Sequence, residues 1–254
     1  MLQFSEAQLM TWIAAAIYPF FRIVALIASA PILGDASVPR RVRIGLAIFI
    51  TAVVAPNIAA VPATPILSGD GFLLVARQLL IGVAMGFSMR LAFAAVEYAG
   101  DLIGLQMGIG FATLVNPETN DQSPIIGSLV GYFVMLSFLA ANGPLLMIAG
   151  VGDSFDGLPI ANDGKLVGDW RMLVMQGAML FGFALHMALP VIAALLITNV
   201  ALGIMTRAAP QLNVFSIGFP ITIGVGLIVL LVSLPVMLAV GDRSLLEAAQ
   251  RLMR

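Results

Sequence analysis

Long runs of apolar residues follow one another along the chain and are separated by short polar stretches. These runs cover residues 7–33, 44–62, 71–96, 98–115, 125–150, 172–206 and 213–240. A helix needs about 20 apolar residues to cross a bilayer core of about 30 Å. The runs are continuous and lack the alternation of a membrane barrel, and backbone groups in lipid must be hydrogen-bonded in helices or closed barrels. The pattern therefore predicts an all-α, integral membrane-type protein.

Residues typical of turns fill the stretches between these runs. The connectors are rich in Gly, Pro, Asp and Asn, and they cover 34–43, 56–71, 116–124 and 152–171. No proline or clear turn interrupts 71–115, where a continuous helix would be roughly 68 Å long, about twice the bilayer core. Two interpretations remain open: a tight hairpin near Glu97–Asp101, or a run that lies largely outside lipid.

Composition supports the membrane assignment. The chain of 254 residues is 61% hydrophobic and only 10% charged, whereas soluble domains carry about 25% charged residues. A net charge of −1 gives no basic surface for nucleic acid, and the absence of cysteine excludes disulfides and thiolate metal sites. The first ten residues contain Glu6 and no positive residue, so we expect no cleavable signal peptide.

Basic residues give an ambiguous topology. They cluster in the first connector (Arg40, Arg41, Arg43) and near the C-terminus (Arg243, Arg251, Arg254). The positive-inside rule places both clusters in the cytoplasm. Seven crossings that include the hairpin satisfy both clusters and put the N-terminus outside, whereas six crossings do not.

Three charged residues in or beside the apolar runs share one helix face if the helix there is unbroken. Arg90, Glu97 and Asp101 are spaced by seven and four residues. A charge at the centre of a lipid-exposed helix costs at least about 2.5–3.5 kcal/mol, so such groups normally face protein or water. We favour a buried charge seam lining a cavity, or a charge-paired subunit contact. The alternative is a pair of short interfacial salt bridges at a helix end.

Two signals of enzyme chemistry are weak. The tetrapeptide Gly-Val-Gly-Asp at 150–153 matches intramembrane aspartyl proteases, but that chemistry needs two carboxylates sharing a proton. We interpret the glycine as a helix C-cap before an acidic loop. His186 has no nucleophile in a motif context and no metal-ligand partner, which favours a hydrogen-bonded packing role. We therefore predict no enzyme activity, no catalytic residue, no cofactor and no metal.

Glycines recur at four-residue spacing in three places. The sets are Gly82 and Gly86, then Gly100, Gly104 and Gly108, then Gly127 and Gly131. In membranes this spacing of small residues lets helix backbones approach closely. It predicts tight helix packing, within the chain or between subunits.

Helix-weakening residues occur at apparent membrane depth in the stretch GLQMGIGFATLVNP, 104–117. Because Asn116 precedes a proline, the helix is predicted to end by about Val115. Backbone that is not helical at this depth is tolerated only where it is buried in protein or lines a cavity. We predict a loop or broken helix facing an internal passage, the alternative being an ordinary helix end packed in a core. The residues assigned to it are Gly104, Gln106, Met107, Gly108, Gly110, Phe111, Leu114, Asn116 and Pro117.

Within this stretch, Met107, Phe111 and Leu114 are predicted to form an apolar constriction, which can gate a pore by dewetting. A second helix break is predicted at 209–220. Its residues are Pro210, Asn213, Phe215, Gly218, Phe219 and Pro220.

Three long stretches carry a resemblance to a known family. They are APILGDASVPRRVRIGLA (30–47), IGLQMGIGFATLVNP (103–117) and RAAPQLNVFSIGFP (207–220). They resemble the signature stretches of the FliR family of flagellar type III export-gate membrane proteins, and the similarity runs through essentially the whole chain. The resemblance implies an inner-membrane protein that is a single-copy subunit and assembles with several copies of FliP and FliQ into a closed helical cone. That cone lies mostly above the plane of the bacterial inner membrane, within the flagellar basal body.

The resemblance also implies a division of labour along the chain. A FliP-like portion covers about 1–180, and a FliQ-like helical hairpin with a C-terminal tail covers about 181–254. The family's pore plug corresponds to Gly104 to about Gln122, below a methionine ring supplied by the FliP-like subunits. Implied partners are FliP, FliQ, FlhB, the membrane and the unfolded flagellar proteins that pass through. The passage does no bond chemistry, and other components of the machine supply the energy.

A secondary transporter for a small solute is the main alternative function, because such proteins also use broken helices and buried charges. Transporters usually have related halves with matching interruptions. Here the two predicted breaks lie in segments with little mutual similarity, which favours the export gate.

Overall fold

The computed structural model describes residues 6–58, 61–62, 64–109, 124–161, 170–209 and 214–251. Within these ranges the chain forms seven α-helices, a short 3-10 helix (Ala55–Asn57) and no strand, so the all-α prediction is confirmed. The helices are α1 (Glu6–Ser29), α2 (Arg40–Val54), α3 (Gly69–Gln106), α4 (Ile125–Ala140), α5 (Gly143–Gly157), α6 (Trp170–Ala208) and α7 (Val214–Arg251).

Helix α3 resolves the overlong run predicted at 71–115. It is one uninterrupted helix of 38 residues, roughly 57 Å long at 1.5 Å per residue. The predicted hairpin near Glu97–Asp101 is therefore wrong. The topology of seven crossings is wrong as well, because it required this hairpin. The physical reason is local, because this segment has no proline and its glycine, Gly100, is helical and buried.

Helices α4 and α5 divide the apolar run predicted at 125–150. They meet at an angle of 67°. Asn142 lies at the bend with φ 58° and ψ 30°, and asparagine is one of the few residues that tolerate this left-handed conformation. Pro144 follows in the first turn of α5, where a missing N–H is harmless.

The predicted end of α5 also needs correction. The helix continues to Gly157, so the first residues of the predicted connector at 152–171 are helical. Gly150, Gly152 and Asp153 therefore lie inside α5, and the interpretation of this motif as a helix C-cap is wrong. The helix ends four residues later, where an arginine from α1 binds its terminal carbonyl groups, as described below.

Four helices of the described chain are long and apolar enough to cross a membrane. The spans are Met10–Ser29, Gly69–Gln106, Leu173–Ala208 and Ile217–Ala239, and the bent pair α4–α5 raises the number to five if it forms one span. Prolines lie inside α1, α6 and α7 (Pro19, Pro190, Pro220, Pro235). Such prolines are tolerated in membrane helices, where neighbouring groups satisfy the freed carbonyls.

The chain forms two compact units. The first comprises Met1–Leu91, Leu139–Gln176 and Leu245–Arg254, and the second comprises Ala92–Phe138 and Gly177–Ser244. Helix α6 runs without interruption through residues 180 and 181. The division into FliP-like and FliQ-like portions concerns relatedness to other subunits rather than contacts, and it stays a prediction.

In the first unit, α1 lies directly against α3. A Cβ atom placed on Gly82 would lie 2.8 Å from the Cβ of Ala25 and 3.0 Å from the backbone nitrogen of Leu26. One placed on Gly86 would lie 2.9 Å from the nitrogen of Ala30. Real Cβ atoms almost never come this close, so the prediction that these two glycines allow tight helix packing is confirmed.

In the second unit, α3 lies against α4 in the same way. A Cβ atom on Gly100 would lie 2.7 Å from the Cα of Gly127. The rings of Phe93 and Phe138 meet edge to face with centroids 5.5 Å apart, a favourable aromatic arrangement. The predicted close approach at Gly100 and Gly127 is confirmed, and it occurs within the chain.

The connector before α2 is held by local hydrogen bonds. The Asp35 carboxylate accepts a hydrogen bond of 2.8 Å from the backbone N–H of Ser37. The hydrogen bonds from Ser37 hold the pKa of the Asp35 carboxyl below its usual range. The Arg43 guanidinium donates to the backbone oxygen of Asp35. These contacts fix the turn that leads from α1 into the arginine-rich start of α2.

Candidate functional site

The end of α3 is a complete Schellman motif. Gly108 has a positive φ of 78°. Its N–H donates to the oxygen of Leu105 at 3.0 Å, and the N–H of Ile109 donates to the oxygen of Gly104 at 3.2 Å. These two bonds satisfy carbonyls that would otherwise lack partners at a helix end, and glycine is the residue that adopts this conformation without strain.

This motif corrects the predicted end of the helix. The sequence predicted an end by about Val115, caused by Asn116 and Pro117, whereas α3 ends at Gln106. Gly108 terminates the helix before the Asn-Pro pair has any effect on it. The third glycine of the series, Gly108, therefore serves as a cap rather than as a packing position.

The described residues of the predicted plug segment have different environments. Gly104 belongs to the last turn of α3 and is buried, with the side chain of Ile126 3.4 Å from the position of a Cβ atom. Gln106 is exposed. The remaining predicted plug residues lie outside the described residues, so their roles stay predictions: Gly110, Phe111, Leu114, Asn116 and Pro117.

Met107, the residue between α3 and the cap glycine, is buried in the second unit. Its side chain is only 1% exposed. It lies against Gly226 of α7, where a Cβ atom would be 2.6 Å from the Cγ of Met107 and 2.9 Å from its Sδ. Its backbone oxygen accepts a hydrogen bond of 3.5 Å from the hydroxyl of Thr222, one turn before Gly226. Met107 is thus enclosed by its own chain, and the prediction that it projects as part of an apolar constriction does not fit this position.

The second predicted break is shorter than the sequence suggested. Helix α6 ends at Ala208 and α7 begins at Val214, so 214–220 is helical. Phe215, Gly218, Phe219 and Pro220 therefore lie in α7 and not in a break, and this part of the prediction is wrong. Pro220 lies inside α7, where its missing N–H removes one hydrogen bond of the helix. Pro210 and Asn213 lie outside the described residues.

The three predicted seam residues are not buried together. Arg90 belongs to the first unit and is exposed, and Glu97 of the second unit is also exposed. Asp101 is half-buried. A seam enclosed by this chain is therefore not formed, because two of its three members face outward. A charge-paired contact of these residues with another subunit stays a prediction.

Glu97 and Asp101 nevertheless share a feature within the second unit, since each lies over a glycine of α4. A Cβ atom on Gly131 would lie 2.9 Å from the Cγ of Glu97, and one on Gly127 would overlap the carboxylate of Asp101. The Oδ1 atom of Asp101 is buried and has no hydrogen-bond partner among the described residues. The two glycines thus make room for acidic side chains as well as for the helix backbone.

A buried arginine cluster in the first unit was missed by sequence analysis. Arg22 of α1 is 0% exposed. Its Nε donates to the Gln78 side-chain oxygen at 2.8 Å. Its Nη1 donates to the oxygen and the hydroxyl of Ser154 at 2.9 Å and 3.1 Å, and its Nη2 donates to the oxygen of Leu158 at 2.7 Å. The guanidinium also lies 4.1 Å from the centroid of the Phe155 ring.

These contacts place a cation at the C-terminal end of α5, where the helix dipole and the unpaired carbonyls favour positive charge. Arg77 of α3 reinforces the same region by donating to the backbone oxygen of Ala161. The sequence features that could have indicated this cluster were Arg22, in the middle of the apolar run of α1, and Gln78 in α3. Sequence alone did not show that the two lie side by side.

Among the described residues, the remaining polar candidates do not come together in one cluster. His186 is exposed on α6 within this chain, and the hydrogen-bonded packing role predicted for it stays a prediction. No group of three or more His, Cys, Asp or Glu side chains in the described ranges could hold a metal ion. The described residues of the second unit provide a capped helix end and an enclosed methionine, and those of the first unit provide an arginine held at the end of α5.

Known proteins match this chain over most of its length. The family described as "Bacterial export proteins, family 1" matches residues 13–248. The Flagellar biosynthetic protein FliR of Escherichia coli (strain K12) is 41% identical over 235 residues, which cover 92% of this chain and 90% of that protein. The FliR of Pectobacterium carotovorum subsp. carotovorum is 42% identical over the same shares of both chains.

A more distant relative extends the similarity. The FliR of Bacillus subtilis (strain 168) is 33% identical over 225 residues, which cover 87% of this chain and 86% of that protein. These matches confirm the family resemblance that the three sequence stretches predicted. The chain belongs to the FliR family of bacterial export proteins.

Proposed function

We propose that this chain is a subunit of the flagellar type III export gate and forms, with FliP and FliQ, the channel through which unfolded flagellar proteins cross the bacterial inner membrane. The observation that carries the proposal is the similarity to flagellar FliR proteins over 92% of the chain. In this role the chain acts as a structural and channel-forming component within the basal body and catalyses no reaction.

The exposed apolar surface supports an assembly with other subunits or lipid. Only 28% of the apolar span of α6 and 22% of that of α7 are buried within the chain. Contiguous apolar surfaces of this kind are normally covered by protein or membrane. FliP, FliQ and the bilayer would cover them in the assembled gate, with FlhB as a further partner.

The segment after α3 supplies the proposed plug of the closed channel. The Schellman motif at Gly108 stops the helix, while the sequence that follows stays apolar, with Phe111 and Leu114. An apolar constriction resists the passage of water and ions because it dewets. Since Met107 is enclosed in the chain, the sealing role in this proposal falls to Phe111 and Leu114.

Deleting residues 110–116 tests the plug. The gate with FliP and FliQ is expected to assemble in near wild-type yield, because the deletion leaves the described helices and the Gly108 cap intact. Ions and small molecules should then pass through the purified gate in vesicles at rates well above those of the wild type.

Two matched variants sharpen this test. Replacing 110–116 with seven Gly and Ser residues keeps the length of the segment and removes its apolar bulk, so it should leak as the deletion does. Thr113→Ser changes one residue of the same segment, removes only one methyl group and should stay tight. An assembled gate that remains tight after the deletion would rule out the plug.

A further inference from the structure

Met107 occupies a position with two separate constraints. Its backbone is the last before the left-handed Gly108, so the Schellman motif fixes the direction in which the chain leaves α3. Its side chain is enclosed against α7, which begins more than a hundred residues later in the sequence. Because both its backbone and its side chain are held, Met107 fixes the position at which the chain leaves α3 as well as the direction in which it leaves.

Gly226 is the part of α7 that makes this enclosure possible. All three atoms nearest to a Cβ on Gly226 belong to Met107: Cγ at 2.6 Å, Cε at 2.9 Å and Sδ at 2.9 Å. Any larger residue at 226 would therefore displace the methionine. Gly224, two residues earlier on the same helix, has nothing within 4 Å of its Cβ position, so the requirement for glycine is specific to position 226.

Thr222 completes the arrangement from the preceding turn of α7. Its hydroxyl is buried and lies within hydrogen-bond distance of two backbone oxygens, Phe219 at 3.0 Å and Met107 at 3.5 Å. The second contact links the α7 side chain to the backbone of the helix end. Thr222 and Gly226 together receive both the main chain and the side chain of Met107.

We infer that Met107 is a positioning residue, held in a socket formed by Gly226 and Thr222, and that this socket fixes the point from which the segment after Gly108 departs. The inference rests on the proposed function of that segment as a plug. It assigns Met107 a role opposite to that of a sealing residue, because the methionine holds the base of the segment and leaves the seal to residues farther along.

Gly226→Ala in the complete gate with FliP and FliQ tests the socket. The added methyl group should displace Met107 and loosen the end of α3, raising hydrogen exchange of the amides from Met107 to Ile109 by about tenfold. The same variant should raise ion leak through gates reconstituted in vesicles, with complex yield unchanged. Gly224→Ala is the matched control and should behave as the wild type in both measurements.

Two further variants show whether Gly226→Ala acts by displacing Met107 or in some other way. They are Met107→Ala alone and Met107→Ala combined with Gly226→Ala. Met107→Ala empties the socket and should also raise exchange and leak. With the methionine side chain gone, the methyl group at 226 has nothing to displace, so the double variant should match Met107→Ala alone rather than sum the two effects. Additive effects would overturn the socket.

The deletion of 110–116 runs alongside to separate this inference from the proposed function. If the deletion leaks and Gly226→Ala stays as tight as Gly224→Ala, the positioning role of Met107 is overturned and the plug stands. If Gly226→Ala accelerates exchange without any leak while the deletion leaks, the socket is only a packing contact and the inference again fails. If the deletion itself stays tight, the plug and the inference fall together.

Discussion

Arg22→Met is expected to prevent the first unit from folding stably. The side chain donates to four acceptors in a site that is 0% exposed. Methionine is of similar length and leaves all of those bonds unmade. The side-chain oxygen of Gln78 and the backbone oxygen of Leu158 lose their arginine donor, whereas Ser154 keeps its hydrogen bonds to Leu158 and Val151. Each buried polar group left without a partner costs about 1–3 kcal/mol, so the loss is a substantial part of the roughly 5–15 kcal/mol that stabilises a typical protein. The amount of chain recovered from membranes, and its midpoint of thermal unfolding, should both fall sharply.

Lysine at position 22 should give an intermediate result. It keeps the positive charge near the end of α5 but replaces the planar fork of arginine with one compact ammonium group. It cannot reach Gln78, Ser154 and Leu158 in the same geometry. Arg41→Met, at an exposed position in the first turn of α2, is the matched control and should leave yield and unfolding midpoint near those of the wild type. Equal behaviour of Arg22→Met and Arg41→Met would show that the arginine cluster does not stabilise the unit.

Gly127→Ala is expected to destabilise the second unit far more than Gly131→Ala. The added Cβ at 127 would overlap the Asp101 carboxylate and lie 2.8 Å from the backbone oxygen of Glu97, which cannot move without shifting α3. At 131 it meets only the exposed, flexible side chain of Glu97, with its nearest atoms at 2.9 Å. Overpacking of this kind costs about 1–3 kcal/mol, against a gain of about 1 kcal/mol in helix propensity on replacing glycine with alanine. Thermal unfolding of the purified chain or complex measures the difference.

The matched control for both substitutions is Gly182→Ala on α6, where nothing lies within 4 Å of the Cβ position. That variant should be neutral or slightly stabilised. Combining Gly127→Ala with Asp101→Ala should recover only part of the loss, because the Glu97 backbone oxygen stays in place. Full recovery would show that the carboxylate alone, and not the close approach of the backbones, requires glycine at 127.

The sequence was sufficient for features that depend on local pattern. Continuous apolar runs without alternation predicted an all-α membrane-type chain, and four-residue glycine spacing predicted the close contacts at Gly82, Gly86, Gly100 and Gly127. Both follow from short-range geometry that the spacing of residues already contains. The resemblance to the FliR family rested on long motifs and was likewise available from the sequence.

Features that depend on distant partners could not be predicted. The burial of Met107 depends on a glycine on α7 that lies more than a hundred residues away in the sequence. The cap at Gly108 was available in principle, since glycine after a helix is the usual Schellman residue. The later Asn-Pro pair drew the predicted boundary to Val115 because a proline is the stronger breaker when judged alone.

Arg22 shows the same limit for a polar group. An arginine in an apolar run normally faces protein or water, but the acceptors of Arg22 come from α3 and from the end of α5. The continuation of α5 through Gly150 and Gly152 to Gly157 was missed for the same reason. The arginine that satisfies its terminal carbonyls belongs to another helix, so the local sequence contains no sign of it.

Co-purification tests the central claim most directly. The chain is expressed alone and with FliP and FliQ, extracted in mild detergent and separated by size. We expect low yield and instability for the chain alone, and a defined large complex containing all three proteins when they are expressed together. A stable monomer that elutes alone in the presence of FliP and FliQ, and that transports a small solute in vesicles, would contradict it.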